Sequence, residues 1–288
     1  MESITGLKNN EKKSLFNLGV REKTILSILA FGFFFIAILI WGSFINADNL
    51  YVDLPNKFQT PSLSHLFGTD WVGRDMLTRT IKGLSLSMKI GLLATLTSTI
   101  IAIILGIIGP TFGRRVDAVV TWFIDLVLSV PHTLVVILIS IAMGGGLKGI
   151  VVGVAATHWT SLTRVIRAEV MQIMESDYTK ISKNFGKSNW YIAKEHILPH
   201  VIPQIIVNAV LIFPHAILHE ASVTFLGFGL PPHEPAIGVI LSESMKYLTS
   251  GYWWLAFFPG LSLILVSMMV DKIGKNIEQL INPKTAYK

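Results

Sequence analysis

Few residues in this chain carry types and spacings that can do chemistry, and each set stops short of a complete site. Gly186-Lys187-Ser188 reads like the end of a phosphate-binding loop, in which glycine amides and a lysine cradle phosphate oxygens. That pattern needs another glycine at position 181, where Ile181 stands, so ATP binding by this chain is not expected. His219-Glu220 opens a zincin-like string, but position 223 is Val223 rather than the second histidine. His215 and His219 still stand i and i+4 with Glu220 adjacent, and His233 and Glu234 follow. Such a set has two readings: it lines a cation path, or it hydrogen-bonds within a helical bundle. No metal set stands out. Asp125 interrupts an apolar run, either paired with Arg114, Arg115 or a later basic segment, or hydrated near an interface.

The surroundings explain why chemistry is scarce. The chain has 288 residues, 51% hydrophobic and only 15% charged, with a mean hydropathy of +0.58. Soluble domains carry about 25% charged residues. The deficit excludes an ordinary soluble enzyme and a disordered chain. The absence of cysteine excludes disulfides and thiolate metal sites.

Apolar runs long enough to cross a bilayer occur at about 25–45, 87–108, 116–143, 147–165, 201–223 and 252–270. Their continuity predicts six helices rather than barrel strands, hence an all-α, multi-pass integral membrane protein. Pro131 and Pro214 predict kinks, and Gly144-Gly145-Gly146 a break. Segments 46–82 and 225–251 read as irregular connections, with an aromatic belt at Tyr247, Tyr252, Trp253 and Trp254. With the N-terminus inside, 17 of the 24 Lys and Arg residues fall on the inner side and 6 on the outer, Lys89 lying within a span. That bias predicts both termini in the cytoplasm. It also accounts for the net charge of +6 without nucleic acid.

The 34-residue inner segment 166–199 carries Val170, Ile173 and Met174, then Tyr178, Ile181 and Phe185, at helical spacing, and Gly186 separates two helix-forming stretches. It is either a solvated connector or an amphipathic docking element that fits a partner's groove. Gly186 reads equally as a sharp turn or as a helix C-cap.

Residues 178–199, YTKISKNFGKSNWYIAKEHILP, resemble the cytoplasmic "EAA" loop of ABC-importer permeases, with Gly186, Leu198 and Pro199 at the family spacing. The Glu-Ala-Ala positions hold Lys180, Ile181 and Ser182, and His196 stands where Ile is usual. HLFGTDWVGRDMLTR (65–79) resembles the GTDxxGRD segment of dipeptide, oligopeptide and nickel permeases, here Gly68, Thr69, Asp70, Gly73, Arg74 and Asp75. FIDLVLSVPH (123–132) and EASVTFLGFGLPPHEPAIGVIL (220–241) resemble two further segments of that group, with Ile237 replacing its usual Trp.

The resemblance covers roughly 25–283. It implies a type I importer permease in the cell (inner) membrane that is not itself an enzyme. A second homologous permease would complete a heterodimer, and two ATPases would carry ATP-Mg and dock through Tyr178, Lys180–Ser182, Gly186, Leu198 and Pro199. An extracytoplasmic binding protein would deliver peptides or nickel-type chelates, and this chain would bind no cofactor. The implied organisation is a 1–24 tail, a first helix plus outer segment at 25–82, a five-helix core at 83–278 and a 279–288 tail. For the 68–75 motif, local order and contact with the binding protein both stay open. The alternative class is a carrier or channel that needs no ATPase, which predicts mid-span ionisable groups and inverted repeats.

Overall fold

The computed structural model describes residues 20–45 and 52–281; Lys8, Lys12, Lys13 and residues 282–288 of the two tails lie outside them. The described residues are almost entirely helical. Their one extended pairing is an isolated bridge between Thr69 and Asp75. Helix α1 (Val20–Phe44) is followed, after the described segment 52–75, by α2 (Met76–Thr111), α3 (Arg114–Leu128), α4 (His132–Ala142) and α5 (Gly146–Glu175). Two short helices follow, α6 (Asp177–Asn184) and α7 (Asn189–Ile192). A π-helical turn (Ala193–Ile197) runs into α8 (Leu198–Phe225), then come α9 (Ile237–Leu248) and α10 (Trp254–Ile281).

Among the described residues, four helical stretches are long and apolar enough to cross a membrane: 21–44, 76–111, 189–225 and 254–281. The pair α3–α4 counts as a fifth if taken as one span. The 30-residue α5, expected as a span, falls outside the set. Its position explains this. α5 buries Ile150, Val154, Leu162 and Ile166 together with Thr157, His158, Thr160 and Thr163 against its neighbours. A helix shielded from lipid by other helices can carry hydroxyls bonded to its own carbonyls, as Thr163 does to Trp159 (2.7 Å).

Two expectations are corrected. The run 116–143 is not one kinked helix but two, bent by 91°. Pro131 has no N–H to continue the ladder and disfavours helix in Val130, so α3 ends on Ser129 and α4 restarts after it. Pro214, by contrast, sits inside an unbroken α8. The connection 225–251 is likewise not irregular throughout, because α9 occupies half of it and buries Ile237 and Ile240.

Among the described residues the core is three clusters. Met76, Leu84, Met88, Ile217, Ile237 and Leu255 belong to one, on which Phe58 and Phe67 of the 52–75 segment pack. Ile90, Val136, Ile150, Val154 and Val223 belong to a second beside it. Ile107, Ile124, Leu162, Ile166, Ile192 and Ile197 fill the end that carries α6 and α7. Close approach of α4 to α5 depends on small residues: a side-chain carbon on Gly153 would lie 2.9 Å from the Val136 carbonyl oxygen, and one on Gly149 2.8 Å from that of Ser140. Gly153→Val should therefore force α4 away from α5 at a cost of about 1–3 kcal/mol. The purified protein should melt several degrees lower, whereas Gly32→Ala, inside α1 where nothing lies within 4 Å, should not lower melting, since alanine is the better helix former.

Candidate functional site

Three groups of expected site residues occupy three places in the bundle. The 68–75 segment is locked. Asp70 is fully buried, and its carboxylate accepts from the Val72 and Arg74 amides (3.0 and 2.9 Å), Arg74 Nε (2.7 Å) and an Arg79 terminal nitrogen (2.8 Å). The other terminal nitrogen of Arg79 reaches Glu243 of α9 at 2.8 Å. Both guanidinium groups lie over the Trp71 ring. Asp75 caps α2 by accepting from the amide and hydroxyl of Thr78, both at 2.8 Å. Thr69 is buried and accepts from the Gln59 amide at 2.8 Å. Gly68 and Gly73 complete the turns, each where a side chain would run into backbone carbonyls of 53–59. The expected aromatic belt is partly core: Trp254 is buried, and Tyr252 and Tyr247 pack on Phe58. Trp253 is exposed.

The residues of the set His215, His219 and Glu220 lie in different surroundings on α8. Five residues along the helix separate His215, which is on the surface, from Glu220, which is fully buried and accepts from Thr224 of its own helix at 3.0 Å. His219 instead meets His132 at the start of α4 and His158 of α5, with ring centroids 4.5 and 5.2 Å away; His132 and His158 are 4.5 Å apart. Sequence reasoning missed this trio because only the 91° break brings His132 back over α5. Among the described residues, no group of three or more His, Cys, Asp or Glu side chains is arranged to hold a metal ion. Asp125 pairs with Arg164 at 3.0 Å, one of the partners expected for it, and Asp117 pairs with Arg167.

At the far end, α5 continues to Glu175, then α6 and α7 fold back on either side of Gly186. Gly186 is a helix C-cap. Its amide reaches the Lys183 carbonyl (2.9 Å) and the Lys187 amide that of Ser182 (3.1 Å), with φ of +75°. Nothing lies within 4 Å of a side chain placed there, so conformation rather than space demands glycine. The two arms are tied by His196, which shares a 2.8 Å hydrogen bond with Ser182 and packs edge-on against Tyr178 and Tyr191. Ile192 and Ile197 anchor this unit in the core. Lys180 is exposed beside Glu175, Leu198 packs on the same cluster, and Pro199 sits in the first turn of α8. Outward, the unit shows Tyr178, Ile181, Phe185 and Trp190, with Phe185 80% exposed.

Comparison with known proteins identifies the scaffold. Residues 98–283 match the family described as binding-protein-dependent transport system inner membrane component. The chain belongs to that family. The dipeptide transport system permease protein DppC of Bacillus subtilis is 34% identical over 224 residues, covering 78% of this chain and 70% of that one. The oligopeptide transport system permease protein OppC of the same organism is 31% identical, covering 82% and 77%. A crystal structure of an amino acid ABC transporter with histidines shares the fold, with a TM-score of 0.55 and 15% identity over 71% of this chain and 95% of that one.

In this ABC transporter permease, the two turn sites can be tested separately. Asp70→Ala leaves Arg79 buried with its charge half-compensated, so the purified permease should lose about 3–5 kcal/mol of stability, read by thermal or denaturant unfolding. Gly186→Ala should cost about 1–2 kcal/mol. Gly186→Asn should cost less, since asparagine tolerates a left-handed backbone; equal losses would mean that space matters there after all.

Proposed function

We propose that this permease is one of two membrane subunits of an ATP-driven importer, and that its cargo is peptide. The names of the relatives, dipeptide and oligopeptide permeases, support peptide over a nickel-type chelate. We read six crossings of the inner membrane, counting α3–α4 as one and the shielded α5 as another, with both termini cytoplasmic. The 17-to-6 distribution of basic residues supports that orientation. It makes the 52–75 segment and α9 extracytoplasmic, where a binding protein would deliver cargo. ATP-Mg belongs to two partner ATPases rather than to this chain, and a homologous second permease completes the pathway. The proposed units are the tail 1–24, the 25–82 helix and outer segment, the 83–278 core and the tail 279–288.

The observation that carries this reading is the α6–α7 unit. It exposes Tyr178, Ile181, Phe185 and Trp190 in a segment whose other surface residues are largely Lys, Ser and Asn. Exposed aromatics at helical spacing mark a surface built to sit in a partner's groove. Docking there gives alternating access a mechanical input, because ATP binding to the partners supplies the differential affinity that shifts the bundle between its inward-open and outward-open states. His215, His219 and Glu220 are proposed as part of the path, now joined by His132 and His158.

Phe185→Ser combined with Ile181→Ser should leave permease melting within about 0.5 kcal/mol of wild type, as exposed positions do. The same pair should sharply reduce co-purification of the ATPase and abolish peptide uptake. Full uptake after loss of every ATPase would instead favour a stand-alone carrier.

A further inference from the structure

Basic residues are scarce on the proposed outer side, yet four line one cleft. Between α1, α2 and the loop before α9 lies a cavity of about 440 Å³ faced by Arg74, Arg79, Lys82 and Lys89, with His233 and Glu234. Asp70 and Glu243 hold the two arginines. Even so, Nε of the buried Arg79 has no hydrogen-bond partner. The lysines are different. Lys82 donates to the Ile45 carbonyl at 2.6 Å, and among the described residues no carboxylate lies within ion-pair distance of either lysine.

Depth makes this unusual. The uncharged stretch 25–45, which ends one residue past α1, is about 31 Å long, the thickness of a hydrocarbon core, so Ile45 marks its outer edge. Lys82 lies level with that edge. Lys89 lies two turns further along α2, about 10 Å deeper. An ammonium at that depth must reach back to the interface or find an anion. Directly below it on the same face, within about 40° of Lys82 around the helix, Leu93, Leu96, Ile100 and Ile104 are all about half exposed. A double cation set above an apolar stripe complements one molecule in particular, since a passing peptide offers no long apolar tail to fill the stripe.

We propose that this cleft binds an anionic phospholipid of the outer leaflet, with its phosphate between Lys82 and Lys89 and an acyl chain along Leu93, Leu96 and Ile100. The leaflet assignment rests on the orientation proposed above. The site itself rests on the cleft and the stripe.

The test uses the full-length permease with its partner subunits, extracted from bilayers that mix phosphatidylglycerol with phosphatidylcholine, and native mass spectrometry of the retained lipid. Wild type should retain phosphatidylglycerol preferentially. Lys82→Gln with Lys89→Gln should lower that retention roughly 25-fold, at about a factor of five per lysine. Lys82→Arg with Lys89→Arg should restore it. Equal retention by wild type and the glutamine pair overturns the proposal. So does equal retention of the two lipids, or lost peptide uptake with phosphatidylglycerol binding intact, which would make the cleft a cargo site. The sidedness is read independently. The chain has no cysteine, so Thr249→Cys can be labelled with an impermeant maleimide. Labelling from outside supports the outer leaflet. Labelling from the cytoplasmic side overturns the orientation and the leaflet, whatever the lipid measurement gives.

Discussion

The close packing of α5 against its neighbours is the constraint on which the rest of the bundle depends. A polar helix can run through the middle of a membrane protein only if other helices keep lipid away from it. α2 does most of that along its length. Ile166 fits against Gly106, where even one added carbon would stand 2.8 Å from it. α4 closes a second side by standing on Gly149 and Gly153. Once the buried face of α5 is packed, both working ends follow from it: the triple-glycine turn into α4 at one end, and the α6–α7 unit at the other.

The same enclosure explains what could and could not be read from residue order. The spans facing lipid announce themselves by apolar content, so α1, α2, α8 and α10 were legible. The α6–α7 unit was legible too, because its anchors are local: helical spacing, a glycine at the cap and a proline in the first turn of α8. The break at Pro131 was legible as a kink but not as a 91° reversal, since its angle is set by where α4 finds room on α5. The helix α9 was hidden behind the glycines and prolines of its own approach. The histidine trio had no signal in sequence, since its members lie on three different helices. For the pair His215 and Glu220, sequence proximity misled, because five residues along a helix turn a side chain to a different environment.

Asp70 shows how a polar motif can be both conspicuous and structural. Three of its four donors, from Val72 and Arg74, order the 52–75 segment itself; the fourth, Arg79, ties that segment to α2 and extends the tie to Glu243 on α9. Stacking of Phe58 on Tyr252 and of Trp71 on Tyr247 adds an apolar seal. The segment is thus bonded to both ends of the helical order, the first core helix and the connection before the last, and holds them in register.

The uninterrupted course of α5 has a further consequence. Thirty residues without a break make a strut about 45 Å long. One end is joined to α6 through the single residue Ser176, and the other to three successive glycines with φ of +84°, +73° and +68°. Packed along its length on α2 and α4, the strut moves only together with them, and a small rotation of that packed group is a large stroke at its far end. Pivoting by 5° about the α6 joint would sweep the glycine end through about 4 Å, more than the diameter of a water molecule.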